Sequence, residues 1–141
     1  MTMLAGLFDR QSYQGSLKAD RMKRVQKEGS PLYRWVPGII AATASSAIYL
    51  DTQFPDSVKY APLDWVEVIN NDLVDIDLTI NGTEIRTIPA GVIRKVDDDI
   101  GLHHIAITNR DAALASVAGK IILSFQRKAM TADGAARMKY Q

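Results

Sequence analysis

Within Leu73–Ile80 the side chains alternate. Val74, Ile76, Leu78 and Ile80 are apolar, and Asp75, Asp77 and Thr79 stand between them. A period of two puts the first set on one face of an extended chain and the second on the other. The spacing therefore predicts a half-buried β-strand. Asn81-Gly82 follows at once. That pair tolerates the two positive φ angles of a two-residue type I′ hairpin, so Thr83 to Ile88 is predicted to return as the partner strand. Asn81-Gly82-Thr83 also fits an N-glycosylation sequon, but the turn accounts for it.

The same signals recur along the middle of the chain. Short apolar or alternating runs predict seven strands, at 39–50, 65–69, 73–80, 83–88, 92–96, 103–108 and 117–125. Pro89-Ala90-Gly91 and the stretch from Asp97 to Gly101 supply turns. Helical segments do not alternate with these strands, which argues against a parallel α/β sheet. The predicted fold class is mainly β: an antiparallel β-sandwich or jelly-roll-like domain with an extended, partly helical, basic N-terminal arm. Residues 51–64 hold Pro55 and Pro62 and are predicted to cross between sheets, as Greek-key topologies require. The chain has 141 residues and is 47% hydrophobic, enough for one domain with a core.

Charge divides the chain more sharply than its net +1 suggests. Residues 1–36 hold seven Lys and Arg against three acids, and residues 126–141 hold four against one. The segment between holds six bases against twelve acids. An acidic body between two basic arms is predicted: an arm over 1–35, a β body over 36–126 and a tail over 127–141. Basic arms meet acidic partners, whether nucleic acid, an anionic surface or a neighbouring acidic body. Leu17, Met22 and Val25 make only a thin apolar stripe on the helix predicted over 17–28, so that helix needs a partner surface. Lys18, Arg21, Lys23, Arg24 and Lys27 are its candidate electrostatic contacts, and Leu4, Leu7 and Phe8 its apolar anchors. A protein surface is the preferred partner for this arm, and nucleic acid the weaker one, because no stacking platform accompanies the cations. Tyr33 and Trp35, beside Pro31 and Pro37, mark the anchor where the arm leaves the body.

Candidate chemistry is sparse. There is no cysteine, which excludes disulfides and thiolate metal sites. Asp97, Asp98 and Asp99 with His103 and His104 are a candidate cation cluster. Three consecutive aspartates supply only part of a calcium site, and a solvated acidic turn is the preferred reading. Adjacent histidines in a strand point to opposite faces: His103 with Ile105 and Ile107, His104 with Ala106 and Thr108. Asp75 and Asp77 share one side of a strand, but paired carboxylates here are read as keeping a sheet face wet. No nucleophile sits in a recognisable catalytic context, no cofactor is implied, and the chain is predicted not to be an enzyme. Met1 to Phe8 is too short and lacks the basic start of a secretion signal. The longest uncharged run, Trp35 to Leu50, is sixteen residues, short of the roughly 20 that span a bilayer.

The runs VEVINNDLVDIDLTINGTEIRTIPAGVIRKVD and HHIAITNRDAALASVAGKIILSFQRK resemble, in their short alternating strands, Asn-Gly hairpin and Pro-Ala-Gly turn, small β-sandwich structural proteins of virions, especially bacteriophage capsid-associated and tail-associated subunits. The resemblance covers somewhat under half of the chain. It implies a homo-oligomerising virion protein (capsid, minor capsid, decoration or connector subunit) whose partners are its own copies and other virion proteins. It also implies localisation in the virion, or in the cytoplasm before assembly. The alternative from the fold class is a carbohydrate- or receptor-binding module, with Trp65 and exposed strand faces lining its site.

Overall fold

A computed structural model describes residues 28–98 and 100–128. Ser30–Arg127 forms a compact unit. It holds eight strands: β1 (Tyr33–Trp35), β2 (Ser45–Tyr49), β3 (Trp65–Asn70), β4 (Ile76–Ile80), β5 (Glu84–Ile88), β6 (Ile93–Val96), β7 (His104–Asn109) and β8 (Ile121–Gln126). A single helical turn, α1 (Leu50–Gln53), and a 3₁₀ helix (Pro55–Tyr60) link β2 to β3. The protein is mainly β, as the periodicity predicts.

The strands form two antiparallel four-stranded sheets, in the orders β1-β8-β3-β6 and β2-β7-β4-β5. Four of the pairings are nested: β1 with β8, β2 with β7, β3 with β6, and β4 with β5. The first half of the chain thus runs back along the second, as one long hairpin. The pairings β3·β8 and β4·β7 then join neighbouring arms of that hairpin into sheets. One hydrophobic cluster draws on both sheets: Val66, Val68, Leu123 and Phe125 from the first, and Ile76, Leu78, Ile80, Ile105 and Ile107 from the second. Val74, Ile76, Leu78 and Ile80 are all buried, while Asp77 and Thr79 between them stay half-exposed. Burial of each such aliphatic side chain is worth about 1.5–3 kcal/mol.

The departures from the predicted strands have specific causes. Residues 36–44 are not strand, because Thr43 turns the backbone at φ 60° and Ala44 N–H donates back to Ala41 O at 3.0 Å. Val117 lies outside β8, where a turn closes with Lys120 N–H on Val117 O and Gly119 at φ 83°. Residues 51–64 do cross from one sheet to the other, but carry helical turns that no periodicity announced. An eighth strand, Tyr33–Trp35, pairs with Leu123 to Phe125. The hairpin forms at Asn81 (φ 54°) and Gly82 (φ 75°), with Thr83 N–H on Ile80 O at 3.2 Å. Ile80 nevertheless pairs with Glu84, so Thr83 is an extra residue in the turn and not the first of the strand. That shift turns Ile85 outward beside Thr79, and leaves Arg86 opposite buried Leu78 on the edge strand β5.

Strand directions sort the loops into two groups. Residues 36–44, 71–75, 89–92 and 110–120 meet at one end of both sheets. Residues 50–64, 81–83 and 97–103 meet at the other.

Candidate interaction surfaces

At the first end, two strands finish on the same three-residue pattern. Asn70-Asn71-Asp72 begins on the last residue of β3, and Asn109-Arg110-Asp111 on the last residue of β7. Asn70 is fully buried. Its Nδ2 donates to the carbonyls of Val74 (2.9 Å), Ile88 (3.2 Å) and Pro89 (3.2 Å). Its Oδ1 accepts from the Asp72 amide at 3.1 Å. Asn109 repeats this. Its Nδ2 donates to Ile40 O (3.2 Å) and Leu114 O (2.8 Å), and its Oδ1 accepts from Asp111 N–H at 2.9 Å. The aspartates extend the ties. Asp72 accepts from Leu73 N–H at 2.7 Å and from Val117 N–H at 2.6 Å. Asp111 accepts from the amides of Leu114 and Ala113, which hold its carboxyl below the usual carboxylate range. Ile40 N–H donates to buried Ser116 Oγ at 2.7 Å, and Ser116 N–H to Ile40 O at 2.9 Å. All four loops are thereby bonded to one another.

The second end has one such carboxamide. Asn81 Nδ2 donates to Gly101 O at 2.8 Å, and its Oδ1 accepts from the amides of His103 (2.8 Å) and His104 (3.2 Å). Beside it lies a cavity of ≈ 290 Å³, lined among others by Tyr49, Leu50, Ser57, Leu63, Leu102 and His103. Its lining is mostly apolar, and Ser57 Oγ is already used, donating to Phe54 O at 2.6 Å. Tyr33 anchors the crossing segment here. Its hydroxyl donates to Asp56 at 3.0 Å, and its ring lies 5.4 Å from that of Phe54. Burial, and secondarily Asp56, push the Tyr33 hydroxyl up to about 12. Lys59, at 3.0 Å, and then Tyr33 hold the Asp56 carboxyl below its ordinary value.

The residues singled out in the sequence are distributed as follows. Asp98 is bound by Arg86 Nη2 at 2.6 Å, which also binds Glu84 at 2.6 Å. Asp97 is exposed, and Asp99 lies outside the described residues. Among the described residues no group of three or more His, Asp or Glu is placed to hold a metal ion. His104, Ala106 and Thr108 share the outer face of β7, as predicted, and the His104 ring sits 4.7 Å from that of Tyr49 across the strand pair. His103 departs from prediction. It precedes β7 and is exposed, while Ile105 and Ile107 are buried. The Asn81 carboxamide, taking both histidine amides, turns the chain there. Asp75 and Asp77 do not sit side by side on one strand, because β4 begins only at Ile76. Asp75 Oδ1 accepts from Ala90 N–H at 2.8 Å, and Asp77 accepts from Thr87 Oγ1 at 2.8 Å. Trp65 opens β3 opposite Gln126 and is half-buried. The arm residues Leu4, Leu7, Phe8, Lys18, Arg21, Lys23, Arg24 and Lys27 lie outside the described residues, as does the tail beyond Lys128.

Sequence reasoning missed Asn70, Asn109, Asp72 and Ser116. The one available signal was Asn-x-Asp directly after two apolar runs, a pattern suited to side-chain-to-backbone bonds at strand ends. No helix among the described residues is long and apolar enough to cross a membrane. The chain matches no known protein family and no curated protein.

Proposed function

We propose that this chain is a virion structural protein, a capsid, minor capsid, decoration or connector subunit. In this reading its body is a jelly-roll sandwich and its basic termini reach onto neighbouring copies. The observation that carries it is the nested pairing of β1·β8, β2·β7, β3·β6 and β4·β5, split over two four-stranded sheets. That order is what a double Greek key, wrapped into two sheets, would leave, and capsid and lectin domains use it. The charge division supports the same role. Basic ends of one copy and the acidic body of the next attract, and many weak contacts add up over an assembly. The role is non-catalytic, and the partners are further copies of the chain and other virion proteins.

The test is the solution mass of the full chain at low and high salt, beside a charge-reversed variant (Lys18→Glu, Arg21→Glu, Lys23→Glu, Arg24→Glu, Lys27→Glu). A discrete oligomer that dissociates in salt and in the variant is the expected result. A monomer under every condition would remove self-assembly from the reading. The carbohydrate- or receptor-binding alternative is favoured by one observation, the ≈ 290 Å³ cavity between Tyr49, Leu63 and His103.

A further inference from the structure

The four bonded loops of the first end carry large apolar side chains that point away from the core. Leu73 is 87% exposed, Ile39 70%, Val117 57% and Leu114 55%. Three of them sit beside a residue fixed from within. Ile39 precedes buried Ile40, Leu73 lies between buried Asp72 and Val74, and Val117 follows buried Ser116. The bonds also place them next to one another. The amides of Leu73 and Val117 rest on the two oxygens of the one Asp72 carboxylate. The carbonyls of Ile40 and Leu114 share the Asn109 carboxamide. The patch is therefore held rigid by a buried polar network. Large exposed apolar patches mark interaction sites, and ordering them in advance removes a cost of binding.

The surroundings carry little net charge: Asp75 and Asp111 stand against Arg110 and Lys120, and Asp72 is buried. Residues 36–44 and 89–92 contain no ionisable side chain, and neither does the exposed run from Ala112 to Gly119 apart from buried Ser116, which is uncharged. Elsewhere the body is acidic: outside these four loops, residues 37–125 hold nine acids and four bases. Two copies meeting through most faces would bring carboxylates together. At this end Arg110 and Lys120 balance Asp75 and Asp111. We infer that the loop end formed by Ile39, Leu73, Leu114 and Val117 is the contact through which copies of this chain meet each other. This rests on the assembly reading and adds a specific, charge-balanced apolar surface to it. A bilayer is the less suited occupant, since the two cations that flank the patch, Arg110 and Lys120, are offset by Asp75 and Asp111.

The experiment is sedimentation velocity on the full chain over a wide concentration range. It compares wild type with Leu73→Ser/Val117→Ser and, as a matched control at the other end, Tyr49→Ser/Val58→Ser, whose targets are similarly exposed. Circular dichroism and melting check that each variant is folded. The loop-end pair should raise the dissociation constant of self-association by about tenfold or more, and the control pair should leave it unchanged. Association that survives the loop-end change but is lost in the arm charge-reversal variant would overturn this contact and leave the assembly reading standing. A wild type that is monomeric throughout would overturn both. Loop-end-dependent flotation with phosphatidylcholine–phosphatidylserine vesicles, without self-association, would overturn the second copy as occupant and assign a lipid surface.

Discussion

Where residues 36–44, 71–75, 89–92 and 110–120 converge, Asn70, Asn109, Asp72 and Ser116 are buried and bonded to backbone, and the surface above them is apolar. Where residues 50–64, 81–83 and 97–103 converge, a single half-buried carboxamide does comparable bonding. The surface there carries ion pairs, Lys59 with Asp56 and Arg86 with Glu84 and Asp98, as well as a cavity. The ends thus invert each other, one polar within and apolar outside, the other more charged outside and less tied within. Buried polar groups are costly unless satisfied, and each one fixes the geometry of what it satisfies. Long loops hold a shape at the first end for that reason, although residues 110–120 contain no regular element.

Breaking a buried clamp is the largest test of this contrast. Asn70→Ala leaves three carbonyls and the Asp72 amide without their partner. It should cost about 3–4 kcal/mol in urea unfolding. Asn81→Ala, where water reaches the freed groups, should cost about half as much. Equal losses would show that the two ends are tied alike. Glycine offers a matched control. Gly119 at the first end and Gly82 at the second both have positive φ, and a Cβ on either would meet open space. Alanine at each should cost about 1 kcal/mol, from backbone strain alone. A large difference between these two would mean that loop backbones, and not the carboxamides, set the ends apart.

The strands were legible in the sequence because alternation and the Asn-Gly turn are local. Val74 to Ile80 states its own two faces, and the pair at 81–82 needs no distant partner to adopt positive φ. Three features were not legible, for one physical reason. Trimming the run 39–50 to Ser45–Tyr49 depends on Ile40 being bonded to Ser116, 76 residues away. His103 leaves the β7 face because Asn81, 22 residues earlier, takes its amide. The exposure of Leu73 follows from Asp72 capping its own loop and reaching Val117 as well. Each outcome includes a bond between residues far apart along the chain, which a short window of periodicity does not contain. The apolar loop end was hidden for the same reason, since Ile39, Leu73, Leu114 and Val117 read singly as members of strands or loops.

Charge at the second end provides a smaller effect. Arg86 bridges Glu84 and Asp98 on an edge strand, and all three side chains are about a third to a half exposed. Asp98→Asn should cost under about 1 kcal/mol, and the difference should shrink as salt is added. A loss that persists at high salt would point to a buried role for the pair and weaken the description of this end as a solvated one.

Titration sharpens the contrast with the least perturbation. The Tyr33 hydroxyl is pushed up to about 12 by burial and by Asp56, so its neutral form is the one the fold favours. The associated stability is whole below the ordinary tyrosine value of about 10 and is lost as pH rises through about 12. Asp111 has the opposite sign. The Leu114 and Ala113 amides favour its ionised form, so its contribution is whole above the ordinary aspartate value of about 4 and is lost as pH falls through the lowered one. Asp56 also loosens in acid, at the second end, through Lys59 and Tyr33. Alkali acting on Tyr33 should therefore disturb the second end alone. Amide NMR shifts of Ala113 and Leu114 should move only on the acid side, and Asp111→Asn should abolish that movement. Shifts in the 3₁₀ helix should move on the alkaline side, and Tyr33→Phe should abolish theirs. Alkaline shifts at Ala113 and Leu114 that vanish in Tyr33→Phe would mean that the two ends are coupled through the core, and the contrast between them would no longer be one of independent surfaces.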